Sequence, residues 1–256
     1  MTLPLDETWT FGLVMVRILA LTLTAPFFSH QSIPMRVRVG LALGIALAAG
    51  TRFGTAPDPT LLGAASLWGL VAREVLVGAM LGFATGLVFS GLALMGEFAS
   101  IQGGLGAATV LDPTSGSSSV VLTSMIQLFG VLIFLAIEGH HEVLRGLALS
   151  FSVFPVGQMT FHLEAFESVV KLGGVIFRVA VHLAAPVTAA MIISNVAVGI
   201  LGRAIPQLNL MALQLPAHVG TTLLILGLGA GPLSDVMART IQNFTGEAIQ
   251  AVLGVR

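Results

Sequence analysis

Cysteine is absent from all 256 residues, and the 11 basic and 12 acidic side chains together make up only 9% of the chain. Without cysteine there is no disulfide, no thiolate metal site and no cysteine nucleophile. A net charge of -1 and the want of any block of Lys or Arg exclude a phosphate-tracking surface for nucleic acid. No basic residue precedes Arg17 while Asp6 and Glu7 stand near the start, so the positively charged opening of a cleavable signal peptide is missing. The first apolar run is therefore expected to stay in the protein. What is abundant is apolar: 55% of residues, with a mean hydropathy of +0.98, against about 25% charge in an ordinary soluble domain. This composition predicts an all-α membrane protein. No stretch is left for a separate water-soluble domain, so residues 1–256 are expected to form a single helical membrane unit.

Apolar runs fall at Phe11 to Phe28, Val37 to Ala49, Leu61 to Met95, Val120 to Ile137, Val169 to Gly202 and Leu208 to Ala230. Few have the length of a simple span of about 20 residues. Val37 to Ala49 is short, Leu61 to Met95 is long enough for a hairpin or two broken helices, and Val169 to Gly202 contains Arg178, His182 and Pro186. Helical hairpins with broken, tilted helices are the predicted arrangement. Loops are expected at Ser29 to Arg38, Thr51 to Pro59 and Pro155 to Glu167, where proline and polar residues cluster. Between two apolar runs, Gly96 to Ser119 reads GEFASIQGGLGAATVLDPTSGSSS. An unpaired amide in hydrocarbon costs several kcal/mol, so this stretch is predicted to be irregular backbone lining a protein cavity or entering water. Small residues recur every fourth position at Gly78, Gly82, Gly86 and Ser90, and again at Gly40, Gly44 and Ala48. Each set lines one helix face that lets a neighbouring backbone approach.

Chemistry-bearing patterns are few. His141-Glu142-Val143-Leu144-Arg145 opens like a zinc-protease HExxH helix but has arginine where the second ligand belongs, and His140 points elsewhere. No metal and no cofactor is expected. The serines of Thr114 to Ser119 lack a nucleophile elbow, so a capping or linker role is the better reading. Charges within apolar runs are candidate buried groups, because at membrane depth they face a cavity, a partner or a conduction path. They are Arg17, Arg73, Glu74, Glu97, Arg178 and Arg203. Arg73 and Glu74 diverge on a helix, so each needs its partner on another element. Arg178, His182 and Pro186 share one face, read as a packed side in preference to a proton route. Arg203, Pro206, Gln207 and Asn209, followed by Pro216, are predicted to form a rigid helix-hairpin corner.

Taken in order, these residues resemble the FliR/SctT family of the bacterial type III protein-export apparatus, with the flagellar branch favoured. The likeness runs nearly end to end: Arg17 with Ala25-Pro26; Ile33 to Arg38; Gly96-Glu97 with Gln102, Gly104 and Asp112-Pro113; Gly139-His140; Ser150-Phe151, Pro155, Gly157 and Pro186; then Arg203, Pro206-Gln207, Asn209 and Pro216. Ala217-His218 departs from the apolar-lysine pair expected of many members. The resemblance implies a non-enzymatic core subunit of the export gate in the bacterial inner membrane, within the flagellar basal body, forming part of the channel for unfolded proteins. It implies FliP-like, FliQ-like and FlhB-like partners, with a FliP-like half over 1–158 and a FliQ-like hairpin over 159–256. It also implies that the glycine-rich segment closes the channel. Gly103, Gly104 and Gly106 would be its mobile part, Asp112-Pro113 its anchor and Glu97 a polar contact at its helix end. The alternatives are a virulence secretion gate, a small secondary transporter with a site at its broken helices, and an intramembrane hydrolase.

Overall fold

A computed structural model describes residues 5–28, 33–49, 56, 58–61, 63–103, 117–157, 163–204 and 210–254. Among them every regular element is helical, as apolar chains without a closed barrel require. The helices are α1 (Leu5–Thr24), α2 (Met35–Ala49), α3 (Ala64–Gln102), α4 (Ser117–Ala136), α5 (Gly139–Val153), α6 (Leu163–Ala204), α7 (Leu210–Leu228) and α8 (Ala230–Leu253), with one 3-10 turn at Pro59–Leu61. By length and composition Glu7–Thr24, Ala64–Gln102 and Phe177–Leu201 are able to cross a membrane, and the bent pairs α4/α5 and α7/α8 add two more if each counts as one span.

Several sequence expectations are corrected. Leu61 to Met95 is not a hairpin: α3 runs unbroken for 39 residues and carries Gly96 to Gln102 as further helical turns. Its interior offers good helix formers and no proline, so nothing in it stops the ladder. The predicted loops shorten because α2 already begins at Met35 and α6 at Leu163. Pro216 lies inside α7 and Pro186 inside α6. In apolar helices neighbouring groups re-satisfy the carbonyl that proline leaves free, which is why Pro216 extends a helix here and does not complete a corner. Two helices were invisible to a search for apolar runs. In α5 the buried residues Gly139, Val143, Gly146, Leu147, Ser150 and Phe151 make one face of a short amphipathic helix. In α8 the buried Met237, Ile241, Ala248, Ile249 and Val252 do the same.

The chain forms two compact units that do not follow chain order: Met1–Leu87 with Glu138–Gly173 and Phe244–Arg256, and Val88–Ile137 with Gly174–Asn243. In the first, α1 lies against the N-terminal half of α3 along Gly78, Gly82 and Gly86. A Cβ at Gly78 would strike the carbonyl of Arg17 and come 2.9 Å from Ala20 Cβ, and one at Gly82 would strike Thr24 and come 2.8 Å from Ala25 N. Ser90 is exposed, so the predicted stripe serves this contact over three positions. Leu13, Ile18, Leu21, Leu70 and Leu81 fill the space around it, each at most 2% exposed. On α5, Gly146 admits Ile249 of α8. In the second unit Phe89 and Phe134 meet edge to face at 5.3 Å. A Cβ at Gly96 would lie 2.9 Å from Thr123 Cα, and Leu92 fills the place a side chain at Gly130 would take.

Candidate functional site

Within α1 and α3 two charged side chains are turned inward. Arg17 and Glu74 are both fully buried, and Arg17 Nε donates to Glu74 Oε2 at 2.6 Å. A guanidinium has five donors in a rigid fork, and an isolated buried cation is costly, so the rest of the fork needs acceptors. They come from the end of α5. Arg17 Nη1 donates to the Ser150 carbonyl at 3.0 Å and to Ser150 Oγ at 3.2 Å, and Nη2 donates to the Phe154 carbonyl at 2.9 Å. The Phe151 ring covers the guanidinium at 4.3 Å, adding a cation–π contact. Arg73 Nη1 reaches the Pro155 carbonyl at 3.0 Å and Glu74 Oε1 at 3.4 Å. The last carbonyls of a helix have no intrahelical partner and carry its partial negative charge. Two arginines at the end of α5 satisfy that requirement, and one glutamate offsets part of their charge.

Local sequence explains why α5 ends there. Phe154 leaves helical geometry at φ -120, ψ 80 while its N–H still bonds Ser150 O. Pro155 follows, disfavouring helix at the residue before it. Gly157 then turns the chain at φ 79, a left-handed conformation that glycine adopts without strain. The start of α5 is equally marked, by Glu138 at φ 58.

Of the predicted buried charges, Arg17, Arg73 and Glu74 are buried and meet in this cluster; Glu74 and Arg73 find their shortest contacts on other elements, Arg17 and the Pro155 carbonyl, with a longer contact of 3.4 Å between the two neighbours. Arg178 and Arg203 are corrections: both are exposed on this chain, as are His182 and Pro186. His182 and Pro186 nonetheless border a cleft whose other walls include Ile225, Leu226, Leu233 and Val236. Glu97 is half-buried and accepts a long bond of 3.5 Å from Thr123 Oγ1. Gly103 directly follows α3: it is buried, its N–H donates to Ala99 O at 2.8 Å, and a Cβ would stand 2.6 Å from Thr222 Oγ1 on α7. Gly104, Gly106, Asp112 and Pro113 of the segment, and Pro206, Gln207 and Asn209 of the corner, lie outside the described residues. In the HExxH-like stretch Arg145 pairs with Glu142 at 2.6 Å and His141 with Glu138 at 3.2 Å, both on the surface.

The acceptors on Ser150, Phe154 and Pro155 were missed. Main-chain carbonyls leave no trace in composition or periodicity, and the sequence flagged Ser150-Phe151, Pro155 and Gly157 only as points of family likeness.

Residues 8–244 match the family described as bacterial export proteins, family 1. Among similar proteins, the flagellar biosynthetic protein FliR of Pectobacterium carotovorum subsp. carotovorum is 33% identical over 220 residues, covering 86% of this chain and 82% of that protein. The FliR of Bacillus subtilis (strain 168) is 30% identical over 249 residues, 96% of this chain and 95% of its own length. The surface presentation of antigens protein SpaR of Shigella flexneri is 27% identical over 179 residues, 70% and 68% of the two chains. With regular structure that is helical throughout the described residues, a buried Arg17 at a likeness-bearing position and a match over most of its length, the chain belongs to the bacterial export proteins, family 1.

Proposed function

We propose that this chain is a core subunit of the flagellar type III protein export gate, forming part of the channel by which unfolded flagellar proteins cross the bacterial inner membrane at the basal body. The observation that carries this reading is the near end-to-end similarity to flagellar FliR proteins. The surface of the chain supports an assembled role: Ile192, Ile193, Val196 and Ile200, along one stretch of α6, are each more than half exposed, and contiguous apolar surface of this kind marks contact with lipid or protein. The partners on this reading are FliP-like and FliQ-like gate subunits and an FlhB-like subunit. The chain works as a conduit component without catalysis, its 1–158 part FliP-like and its 159–256 part FliQ-like.

On the same reading the segment from Gly103 to Pro113 closes the channel. Support comes from its glycine content and from the firm seat of Gly103 at its start, where Thr222 and Ala99 leave no room for a side chain. Co-purification with FliP-like and FliQ-like subunits after gentle detergent extraction tests the assembly. A chain that purifies alone and binds a small solute would instead be the transporter. Deleting 104–116 tests closure: ion leakage or export should change, and unchanged conductance with unchanged export would remove the plug. The likeness to SpaR favours, as a second reading, a virulence secretion gate with the same channel chemistry.

A further inference from the structure

The cluster at the end of α5 is unevenly matched: it holds two cations, Arg17 and Arg73, and one anion, Glu74. Arg17 places all three of its nitrogens, Nε on Glu74, Nη1 on Ser150 and Nη2 on Phe154. Arg73 places only Nη1, on the Pro155 carbonyl and at longer range on Glu74. Its Nε and Nη2 are buried and meet no acceptor among the described residues, on a side chain 6% exposed. A guanidinium is planar and trigonal, so the Nε–Nη2 edge lies directly opposite Nη1. With Nη1 turned inward to Pro155, that edge faces away from the cluster. Two parallel N–H groups along one such edge are the arrangement that holds a carboxylate bidentately. On α3, Arg73 stands at the border of two faces. Leu70 and Val77, three before and four after it, are buried, while Gly69 and Leu76, four before and three after, are exposed.

We infer that Arg73 is a recognition site for a carboxylate on a neighbouring subunit, an Asp or Glu that seats on the Nε–Nη2 edge and brings the cluster to two cations and two anions. A charge inside an apolar stretch such as Ala64–Gln102 requires a counter-group, and here the chain supplies only part of one. The neighbour approaches over the exposed Gly69, Ala72 and Leu76, and rotation of Arg73 about its side-chain torsions uncovers the edge. Closure of that edge to solvent suits the short acid of a packed helix better than a lipid headgroup, which stays in water. The inference rests on the assembled role proposed above.

The test compares Arg73→Met with wild type in two assays: thermal unfolding of the free chain in detergent, and binding to FliP-like and FliQ-like subunits after gentle extraction. Replacing a buried ion by an apolar side chain of similar size is often neutral or stabilising, and here it leaves Arg17 and Glu74 as a balanced pair. The free variant should therefore melt within about 4 °C of wild type. Truncating one member of a buried charge pair across an interface weakens binding by about 30-fold or more, so assembly should fall by that factor. A midpoint lowered as far as that of Arg17→Met makes Arg73 structural and overturns the site, as does undiminished assembly of Arg73→Met. A photocrosslinking residue in place of Leu76, with Arg73 kept, should capture a segment of a neighbouring subunit that contains Asp or Glu. Capture of lipid, or of a segment with no acid, overturns the site even where Arg73→Met does not fold. Wild type that binds none of these subunits removes the assembled role itself, a result distinct from wild type and Arg73→Met binding alike.

Discussion

The buried pair Arg17–Glu74 makes the sharpest prediction. Glu74→Leu leaves a fully buried guanidinium whose remaining acceptors are the Ser150 and Phe154 groups, an uncompensated charge. Breaking a buried pair in this way costs about 3–5 kcal/mol. Arg17→Met should cost more. It strands Glu74 with only the longer Arg73 contact at 3.4 Å, removes the cation from the Phe151 ring, and takes the charged donor from the Phe154 carbonyl. Loss of a hydrogen bond to a charged group adds about 1.5–3 kcal/mol. Ser150 O keeps the Phe154 N–H at 2.9 Å. The double variant removes both charges, so its loss should be well below the sum of the two single losses, though it stays below wild type because the hydrogen bonds of Arg17 to the end of α5 are gone. The assay is a double-mutant cycle on the detergent-solubilised chain, followed by tryptophan fluorescence during heating. At about 2–4 °C per kcal/mol for a chain of this size, Glu74→Leu should lower the midpoint by roughly 6–20 °C. Losses that add to within about 0.5 kcal/mol, the behaviour of independent sites, would refute the pairing.

Gly82→Ala should destabilise by about 1–3 kcal/mol through overpacking, since its Cβ would meet Thr24 and Ala25; Gly44→Ala, with nothing within 4 Å, should be neutral in the same thermal assay. Gly157→Ala should cost about 1–2 kcal/mol for a left-handed residue, while Gly157→Asn, which tolerates φ 79 better, should cost less by thermal denaturation. In the turn before α3, the Thr60 hydroxyl and amide donate to Asp58 Oδ1 at 2.6 and 2.8 Å and hold its carboxyl below the ordinary value. In Thr60→Ala the Asp58 titration followed by NMR should move up in pH; an unmoved titration would show those bonds absent in solution.

Membrane character, helical class and the buried state of Arg17, Arg73 and Glu74 were legible in the sequence, because apolar composition and the cost of burying charge are local facts. The identity of the counter-groups was not. Ser150, Phe154 and Pro155 act through main-chain carbonyls exposed by the end of α5, and that end is defined by an amphipathic helix too polar to register as an apolar run. Element length failed for a related reason. Glycine and charge within Gly96 to Gln102 suggested broken backbone, yet both continue α3, since glycine lowers helix propensity by only about 1 kcal/mol and packing against Thr123 outweighs it. Arg178 shows the converse error: position in an apolar run marks membrane depth and says nothing of which side a helix turns toward its own chain.

The two small-residue stripes had the same spacing and have opposite surroundings, and that difference separates what a chain does for itself from what it leaves to neighbours. Gly78 and Gly82 are filled by α1, whose backbone could not approach past a Cβ. The close contact brings Arg17 to the level of Glu74, so the glycines are the geometric condition for the ion pair as well as for packing. Gly40 and Gly44 on α2 meet nothing within 4 Å and are exposed. Periodicity reports that a face is small; only the fold reports what fills it. A folding unit is therefore drawn by the stripe that carries a charge pair across it, because a buried arginine must be matched within its own chain before any partner arrives. The α2 stripe has no buried charge opposite it and no such obligation. It is free to stay open while α1, α3 and the end of α5 form the fixed part of the first unit.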